Sequence, residues 1–347
     1  MKEKKNTIIQ NDLDLVFNSL PALAFSQLAN TSFLLIGSGF TTLWCIEFLL
    51  YLKIKHGITT SVKVLSKNIE KAKLAAPHLF SQDWIQWKSG DIRKISELPI
   101  DVDWVINTAG DIDTRNHATD PITVSDTIVG GLQNIFQQFL LSDRLKKILH
   151  LSSGLVYGNA THENGFLEEQ PGLVNSIDSS NIYVEAKRYS ESLCSAYRAS
   201  YRLPIVVMRP FNFVGPYQNL NHPLVICDFL RESISKSQIK IVGDGQTIRT
   251  YLYGADVAHW MIRFLLQAEV GSVLNLGSDE KITTKELATL ISKHTNSSVS
   301  QEIRIQKNKM IVKDFTPNLH KAKNMYNLKQ VISLDKALEN TIEWNRK

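Results

Sequence analysis

Tyr183 and Lys187 stand four residues apart in Tyr183-Val184-Glu185-Ala186-Lys187, so on a helix they share one face. A phenol with a pKa near ~10 is a poor proton carrier at neutral pH. A neighbouring ammonium lowers that pKa, and Tyr183 can then pass a proton to or from a carbinol oxygen. Upstream, the apolar run Ile148-Leu149-His150-Leu151 leads into Ser152-Ser153-Gly154. At the end of such a strand the Ser153 hydroxyl can hydrogen-bond a reacting carbonyl oxygen, as an oxyanion donor does. A Tyr-x-x-x-Lys spacing is common by itself; the serine strand ahead of it gives it a carbonyl to act on.

That chemistry needs a hydride, and the chain carries a place for its source. Phe33-Leu34-Leu35-Ile36-Gly37-Ser38-Gly39-Phe40-Thr41-Thr42 runs from an apolar strand through a glycine turn into a helix. Gly37 allows the tight turn, Gly39 lets a dinucleotide pyrophosphate approach the backbone, and the helix N-terminus attracts its charge. Ser38, Phe40 and Thr41 complete the loop. Thr42 stands where a third glycine is usual, which predicts looser packing of helix on strand. The alternative is an ordinary glycine turn.

The second strand ends in Val64-Leu65-Ser66-Lys67-Asn68. An acid at this place binds the ribose 2′-hydroxyl of NAD and repels the 2′-phosphate of NADP. None is present, and Ser66 and Lys67 suit a phosphate. NADP(H) is therefore favoured, with NAD(H) possible. In Gly90-Asp91-Ile92, Asp91 can accept a hydrogen bond from the adenine amino group, with Ile92 against the ring. In Asn107-Thr108-Ala109-Gly110 the small residues Thr108, Ala109 and Gly110 line the cofactor.

Short apolar runs alternating with helical patterns must position these residues. Ser32–Ile36, Ser61–Leu65, Trp104–Asn107, Lys147–Leu151 and Ile205–Met208 read as strands. Thr42–Leu52, Ile69–Ala75, Thr123–Leu141 and Tyr183–Tyr201 read as helices. The alternation predicts an α/β fold, a Rossmann-type doubly wound parallel sheet with helices on both faces. Beyond residue 209 the pattern loosens into a smaller C-terminal α/β substrate-binding domain, with helices at Leu224–Ser235 and Thr284–Lys293. Residues 1–30 read as an N-terminal extension with one amphipathic helix. Leu13, Val16, Phe17 and Leu20 recur at helical spacing there, and Pro21 ends the pattern. The dinucleotide domain spans 31–208 plus about 246–275, and the substrate domain 209–245 plus about 276–347.

Composition narrows the function classes. Of 347 residues, 39 are Lys or Arg and 34 Asp or Glu, a net charge of +5 that suits a small anionic ligand and does not indicate nucleic acid. Three cysteines, Cys45, Cys194 and Cys227, form no CxxC pair, and the histidines lack metal-ligand spacing, so neither a disulfide framework nor a metal site is expected. No signal peptide or membrane span is expected, and a cytoplasmic location follows.

These pieces resemble the extended short-chain dehydrogenase/reductase superfamily, specifically its nucleotide-sugar epimerase/dehydratase branch. The similarity runs from about residue 31 to 290. Its motifs keep the family's order: the glycine turn, Gly90-Asp91-Ile92, Ser152-Ser153-Gly154-Leu155-Val156-Tyr157-Gly158, and Tyr183 with Lys187. Then come Arg209-Pro210-Phe211-Asn212-Phe213-Val214-Gly215-Pro216, Gly243-Asp244-Gly245-Gln246-Thr247-Ile248-Arg249-Thr250-Tyr251 and Asn275-Leu276-Gly277-Ser278. The resemblance implies a catalytic triad of Ser153, Tyr183 and Lys187. It implies that Pro210 lies beside the nicotinamide carboxamide, that Asn212 holds a nucleotide sugar near its diphosphate, and that Arg249 contacts that diphosphate. It further implies that the helices near Thr123–Leu141 and Tyr183–Tyr201 form a four-helix interface in a homodimer.

Departures sharpen the expectation. In the family's 4,6-dehydratases an Asp and a Glu follow the catalytic Ser or Thr. Gly154 and Leu155 stand there instead and cannot move a proton. The glycine turn is one residue shorter than the usual form. His222, in Asn219-Leu220-Asn221-His222-Pro223, lies in the expected substrate loop and could serve as a second acid/base; a solvated loop histidine is the plainer reading. Cys227 reads as a core residue. The sequence thus predicts an NAD(P)(H)-dependent nucleotide-sugar oxidoreductase that reduces a 4-keto (6-deoxy) sugar at C4. The alternatives are a 4-epimerase with tightly bound NAD and a non-catalytic dinucleotide-binding sensor.

Overall fold

The computed structural model describes residues 2–19, 22–110, 113–302 and 312–346. Its first half runs α1 (Lys2–Asn18), β1 (Thr31–Ile36), α2 (Phe40–His56), β2 (Thr60–Ser66), α3 (Ile69–Ala75), β3 (Ile85–Ser89) and β4 (Trp104–Asn107). Next come α4 (Thr114–Thr119), α5 (Pro121–Phe139), β5 (Lys147–Leu151), α6 (Ile182–Tyr201), β6 (Ile205–Pro210), β7 (Asn212–Val214), α7 (Val225–Lys236) and β8 (Gln238–Val242). The chain ends with β9 (Ile248–Arg249), β10 (Tyr251–Tyr253), α8 (Gly254–Gln267), β11 (Val273–Leu276), β12 (Ile282–Thr283), α9 (Thr284–Thr295), β13 (Ser298–Glu302), α10 (His320–Tyr326) and α11 (Leu334–Asn345).

Seven strands form one sheet in the order β11-β6-β5-β4-β1-β2-β3. Every pairing in it is parallel. β1 and β4 are buried along their whole length, as strands covered on both faces must be. Alternate residues serve the two faces. Phe33, Leu35, Val64 and Ile106 join the core under α2 and α8. Leu34, Ile36, Val105 and Ile148 join Leu132, Ile135, Phe136 and Leu193 from α5 and α6. Strand order reverses between β1 and β4, so the crevice at their C-terminal ends is where an open α/β sheet binds its ligand.

Helix α5 starts two residues earlier than its hydrophobic pattern suggests, because Asp120 caps it and Pro121 occupies its first turn. The N-terminal residues are built into the core. Ile9, Leu13, Val16 and Phe17 of α1 are buried, and Asp12 accepts hydrogen bonds from Tyr253 and, at 2.7 Å, from Asn340 Nδ2. Leu20 and Pro21 lie outside the described residues. After β10 the chain returns to the sheet through α8, whose first residue, Gly254, lies so close to the Trp44 indole that a side chain there would collide. The remaining short strands pair as β7 with β10, β9 with β12 and β8 with β13 around the crevice-side loops. Among the described residues no helix is long and apolar enough to cross a membrane, and no group of acidic, His or Cys side chains could hold a metal. All three cysteines are free and buried, Cys227 within the core on α7.

Candidate active site

The glycine turn is built as its residue types require. Gly37 has φ +111° and donates its N–H to Leu65 O at 2.8 Å, tying β1 to β2. A Cβ on Gly37 would drive into the Thr108 hydroxyl. Gly39 caps α2 with no side-chain hydrogen bond, and a Cβ placed on it meets nothing within 4 Å. The open space and the helix N-terminus without a side-chain cap leave room for an anionic group, which such a terminus attracts. Thr42 does not loosen the packing as its place in the motif predicts. It is buried, and its hydroxyl bonds Thr108 Oγ1 at 2.9 Å; Thr108 in turn donates to Ile36 O at 2.9 Å. A hydrogen bond thus replaces the close approach that a third glycine would permit. Phe40 lies nearly parallel to Phe213, 5.9 Å between centroids, and so links the turn to β7.

At the end of β2, Ser38 Oγ and Ser66 Oγ lie 2.7 Å apart. Lys67, half exposed, reaches Asp91 at 3.4 Å. Asp91 spends both oxygens on Arg93, whose Nε and Nη2 donate at 3.0 and 2.6 Å. Those bonds hold the Asp91 carboxyl well below the usual carboxylate range. Ile92 faces inward against α5 at Gly131. The adenine contacts expected of Asp91 and Ile92 would therefore have to share groups already engaged in the protein.

Tyr183 and Lys187 sit on the first turns of α6, both buried. Lys187 Nζ lies 5.9 Å from the Tyr183 ring centroid and donates to Leu151 O at 2.7 Å. Leu151 ends β5, two residues before Ser153, so one hydrogen bond ties the ammonium to the serine strand. Burial pushes the Lys187 pKa down to about 8, against the opposing pull of Glu191. Lys187 also lies against Gly110, where a Cβ would come within 3.3 Å of Nζ. Ser153 Oγ accepts the Leu155 N–H at 3.1 Å, so its own proton is not spent on that bond. Gly154 packs under the Phe211 ring, while Leu155 is partly exposed.

The residues assigned to substrate by resemblance are more dispersed. Pro210 ends β6 and Asn212 begins β7, its Nδ2 donating to Thr250 O at 3.2 Å. Arg249 turns its Nη1 to the carbonyls of Ile248 and Val312 at 2.7 and 3.1 Å, with its guanidinium over Phe315. His222 comes within 3.8 Å of Asp113, so it is not a free loop histidine. Arg115 pairs with the same Asp113 and donates to Asn221 O at 3.1 Å, fastening the 219–223 loop to the start of α4.

A family model for the NAD dependent epimerase/dehydratase family matches residues 43–277, well over half of the chain. The chain belongs to that family. Among curated relatives, UDP-glucuronic acid decarboxylase 1 of Xenopus tropicalis is 28% identical over 257 residues, 73% of this chain and 59% of that protein. UDP-N-acetyl-alpha-D-glucosaminuronate decarboxylase of Bacillus cytotoxicus is 27% identical over 264 residues, 74% of this chain and 80% of that protein. The match thus spans about three fifths of the first relative's length. Among solved structures, Pal from Bacillus thuringiensis superposes with a TM-score of 0.74 at 25% identity, over 90% of this chain and 98% of that one. UDP-glucuronic acid 4-epimerase from Bacillus cereus, solved with UDP-glucuronic acid and NAD, gives 0.79 at 20% identity over the same shares, and shows the shared fold.

Within this epimerase/dehydratase framework the chain carries residues that motif spacing does not single out. The His117 ring of α4 stacks on Tyr183. Arg209, inside the Arg-Pro-Phe-Asn motif, holds Glu191 of α6 through two bonds of 2.9 and 2.7 Å. It also donates to Tyr157 Oη at 2.9 Å and Glu168 O at 2.8 Å. Tyr157 Oη in turn donates a hydrogen bond to Asn275 Oδ1 at 2.8 Å. The only sequence signal for this bundle is a set of polar residues inside otherwise apolar motifs.

Proposed function

We propose that the chain is an NAD(P)(H)-dependent nucleotide-sugar oxidoreductase that reduces a 4-keto, 6-deoxy sugar nucleotide at C4. The observation that carries this reading is the buried Tyr183–Lys187 pair, fastened by Lys187 to the end of the strand that leads into Ser153. The glycine cradle, with an uncapped helix N-terminus and open space over Gly39, fits a dinucleotide pyrophosphate. Gly37, Ser38, Gly39, Phe40 and Thr41 would hold it, with Thr108, Ala109, Gly110 and Pro210 further along the crevice. When bound, a reduced nicotinamide supplies hydride to the carbonyl carbon. On the protein's side, Tyr183 gives its phenolic proton to the carbonyl oxygen and Ser153 donates a hydrogen bond to that same oxygen. Lys187 holds the charge left on the phenol.

Gly154 and Leu155 restrict the chemistry. Neither can remove or deliver a proton, so the site supports hydride transfer at C4 without elimination at C5–C6. The paired hydroxyls of Ser38 and Ser66, and the absence of an acid in β2 and the residue after it, favour a 2′-phosphate and hence NADP(H), for which Lys67 would have to turn from its ion pair with Asp91. A second reading, a 4-epimerase that retains NAD, draws support from the NAD bound in the Bacillus cereus epimerase structure. Packing of α5 along α6 leaves Ile122 and Tyr189 exposed, which fits pairing of these helices in a homodimer.

Mass spectrometry of any dinucleotide released on denaturation separates the two readings. Stoichiometric NAD means the epimerase. NADP(H), or an empty protein that binds NADPH far more tightly than NADH, means the reductase. Tyr183→Phe is expected to bind dinucleotide normally and lose at least about a hundredfold in turnover. Full turnover in that variant refutes the assignment, and a wild type inactive on every nucleotide sugar supports a sensor.

A further inference from the structure

Behind the Tyr183–Lys187 turn runs a closed chain of hydrogen bonds through a histidine that the proposed reaction does not use. The Ala109 N–H donates to Asn107 Oδ1 at 3.0 Å, which fixes the orientation of that amide. Asn107 Nδ2 meets His150 Nδ1 at 3.2 Å, across the β4–β5 register that pairs the two residues. His150 Nε2 meets Ser190 Oγ at 2.9 Å, and Ser190 Oγ donates to Lys187 O at 2.7 Å. Asn107, His150, Ser190 and Lys187 are all at least 97% buried.

The donor count leaves one protonation state. Ser190 has a single proton and spends it on Lys187 O, so it must accept from His150 Nε2–H. The Asn107 oxygen is taken by Ala109, so its NH2 faces His150 and requires a bare Nδ1. Every member is satisfied only when His150 is neutral and protonated at Nε2. Burial, reinforced by the Lys187 charge, holds its pKa well below the usual histidine value, in accord with that state.

We propose that neutral His150 is a positioning residue for Lys187, locking the backbone of the Tyr183–Lys187 turn to the Asn107–Gly110 strip. Lys187 is thereby held at two points. Its ammonium is fixed on Leu151 O and its carbonyl on the Ser190–His150–Asn107 chain. Gly110, whose backbone faces the ammonium, belongs to the same strip. Turn and strip then move as one body, which keeps Lys187 at a set distance from the phenol it serves. Glu191, Cys194 and His150 are the titratable neighbours whose fields act on Lys187, besides Tyr183.

The inference rests on the proposed role of Lys187, and its test has a readout that does not need turnover. His150→Phe keeps an aromatic ring and removes both nitrogens. His150→Gln restores one acceptor and one donor. Ser190→Ala cuts the same link from the α6 side and serves should His150→Phe fail to fold. The Lys187 titration is followed by NMR of carbon-labelled lysine in the full chain, alongside dinucleotide affinity, kcat and melting temperature. His150→Phe and Ser190→Ala are expected to bind dinucleotide as the wild type does and to lose about tenfold or more in kcat, as small misplacements of catalytic groups do. The Lys187 titration should move up by about half a unit or more as its ammonium gains water. His150→Gln should recover most of the kcat. An unmoved Lys187 titration, or a His150→Gln no better than His150→Phe, overturns the proposal. A wild type without turnover would sink the reductase reading, while the Lys187 titration would still decide the role of His150.

Discussion

His117 lies flat on Tyr183, with ring centroids 4.3 Å apart and planes 10° from parallel. The two residues come from different elements, α4 and α6, and the imidazole is almost fully buried. Helical spacing puts Tyr183 on the face of Lys187; the plane of its ring is set by this stack. Removing it in His117→Ala should cost about 2 kcal/mol of stability, about 1 for the ring pair and about 1 more for the imidazole's lost burial. The phenol would then sample other orientations, and kcat should fall about tenfold with little change in dinucleotide affinity. His117→Phe, which keeps a flat ring in place, should stay near wild type. Equal turnover in wild type and His117→Ala would remove the stack from the account.

Thr42 yields a second prediction, since the structure reverses its sequence reading. Thr42→Gly restores the usual motif yet deletes the hydroxyl that bonds Thr108. Relative to threonine a helical glycine costs about 0.3 kcal/mol, the lost hydrogen bond about 1 and the lost buried methyl about 0.8 more. Urea unfolding should therefore show a loss of about 2 kcal/mol. No loss, or a gain, would mean that the motif's third glycine packs better here than the threonine bridge.

The contrast between these two sites shows what the sequence could reveal. Strand and helix positions were legible because period-two and helical patterns report burial directly, and β1, β2, β4 and β5 lie within a residue or two of expectation. Gly37 was legible because only a turn with positive φ calls for glycine at a strand end. Thr42 was misread because a motif position names a shape requirement, and hydrogen bonding to Thr108 meets it differently. The His117 stack and the His150 chain were hidden for another reason. Each joins residues of different elements, and single-sequence periodicity carries no information about who meets whom across the fold. α1 was recognised as a helix, but nothing local announces that Asp12 will be buried under Tyr253 and Asn340.

The Arg209–Glu191 fork should behave as a buried ion pair. Arg209 and Glu191 side chains are 12% and 16% exposed. Glu191→Gln leaves the guanidinium short of its counter-charge in a poorly solvated place, at a cost of about 3 kcal/mol. Replacing both, as Arg209→Met with Glu191→Leu, should recover part of that loss. A single variant as stable as the wild type, measured by denaturant unfolding, would show that the pair is solvated in practice.

Lys187 gives the pH prediction. Its folded-state pKa of about 8 lies below the ordinary 10.5, because burial penalises the ammonium. Below pH 8 both folded and unfolded states carry the charge, and the full penalty is present. Between pH 8 and 10.5 the unfolded state binds more protons, so this residue makes stability rise with pH, by roughly 3 kcal/mol across that window. Activity should run the other way. In the proposed reduction the ammonium steadies the Tyr183 phenolate, and its loss above pH 8 should make kcat fall on the alkaline side with a midpoint near that value. Lys187→Met should lose most turnover and remove both effects, the alkaline limb and the rising stability. A limb at the same midpoint in the residual activity of Lys187→Met would assign it to another group and separate Lys187 from the proton transfer.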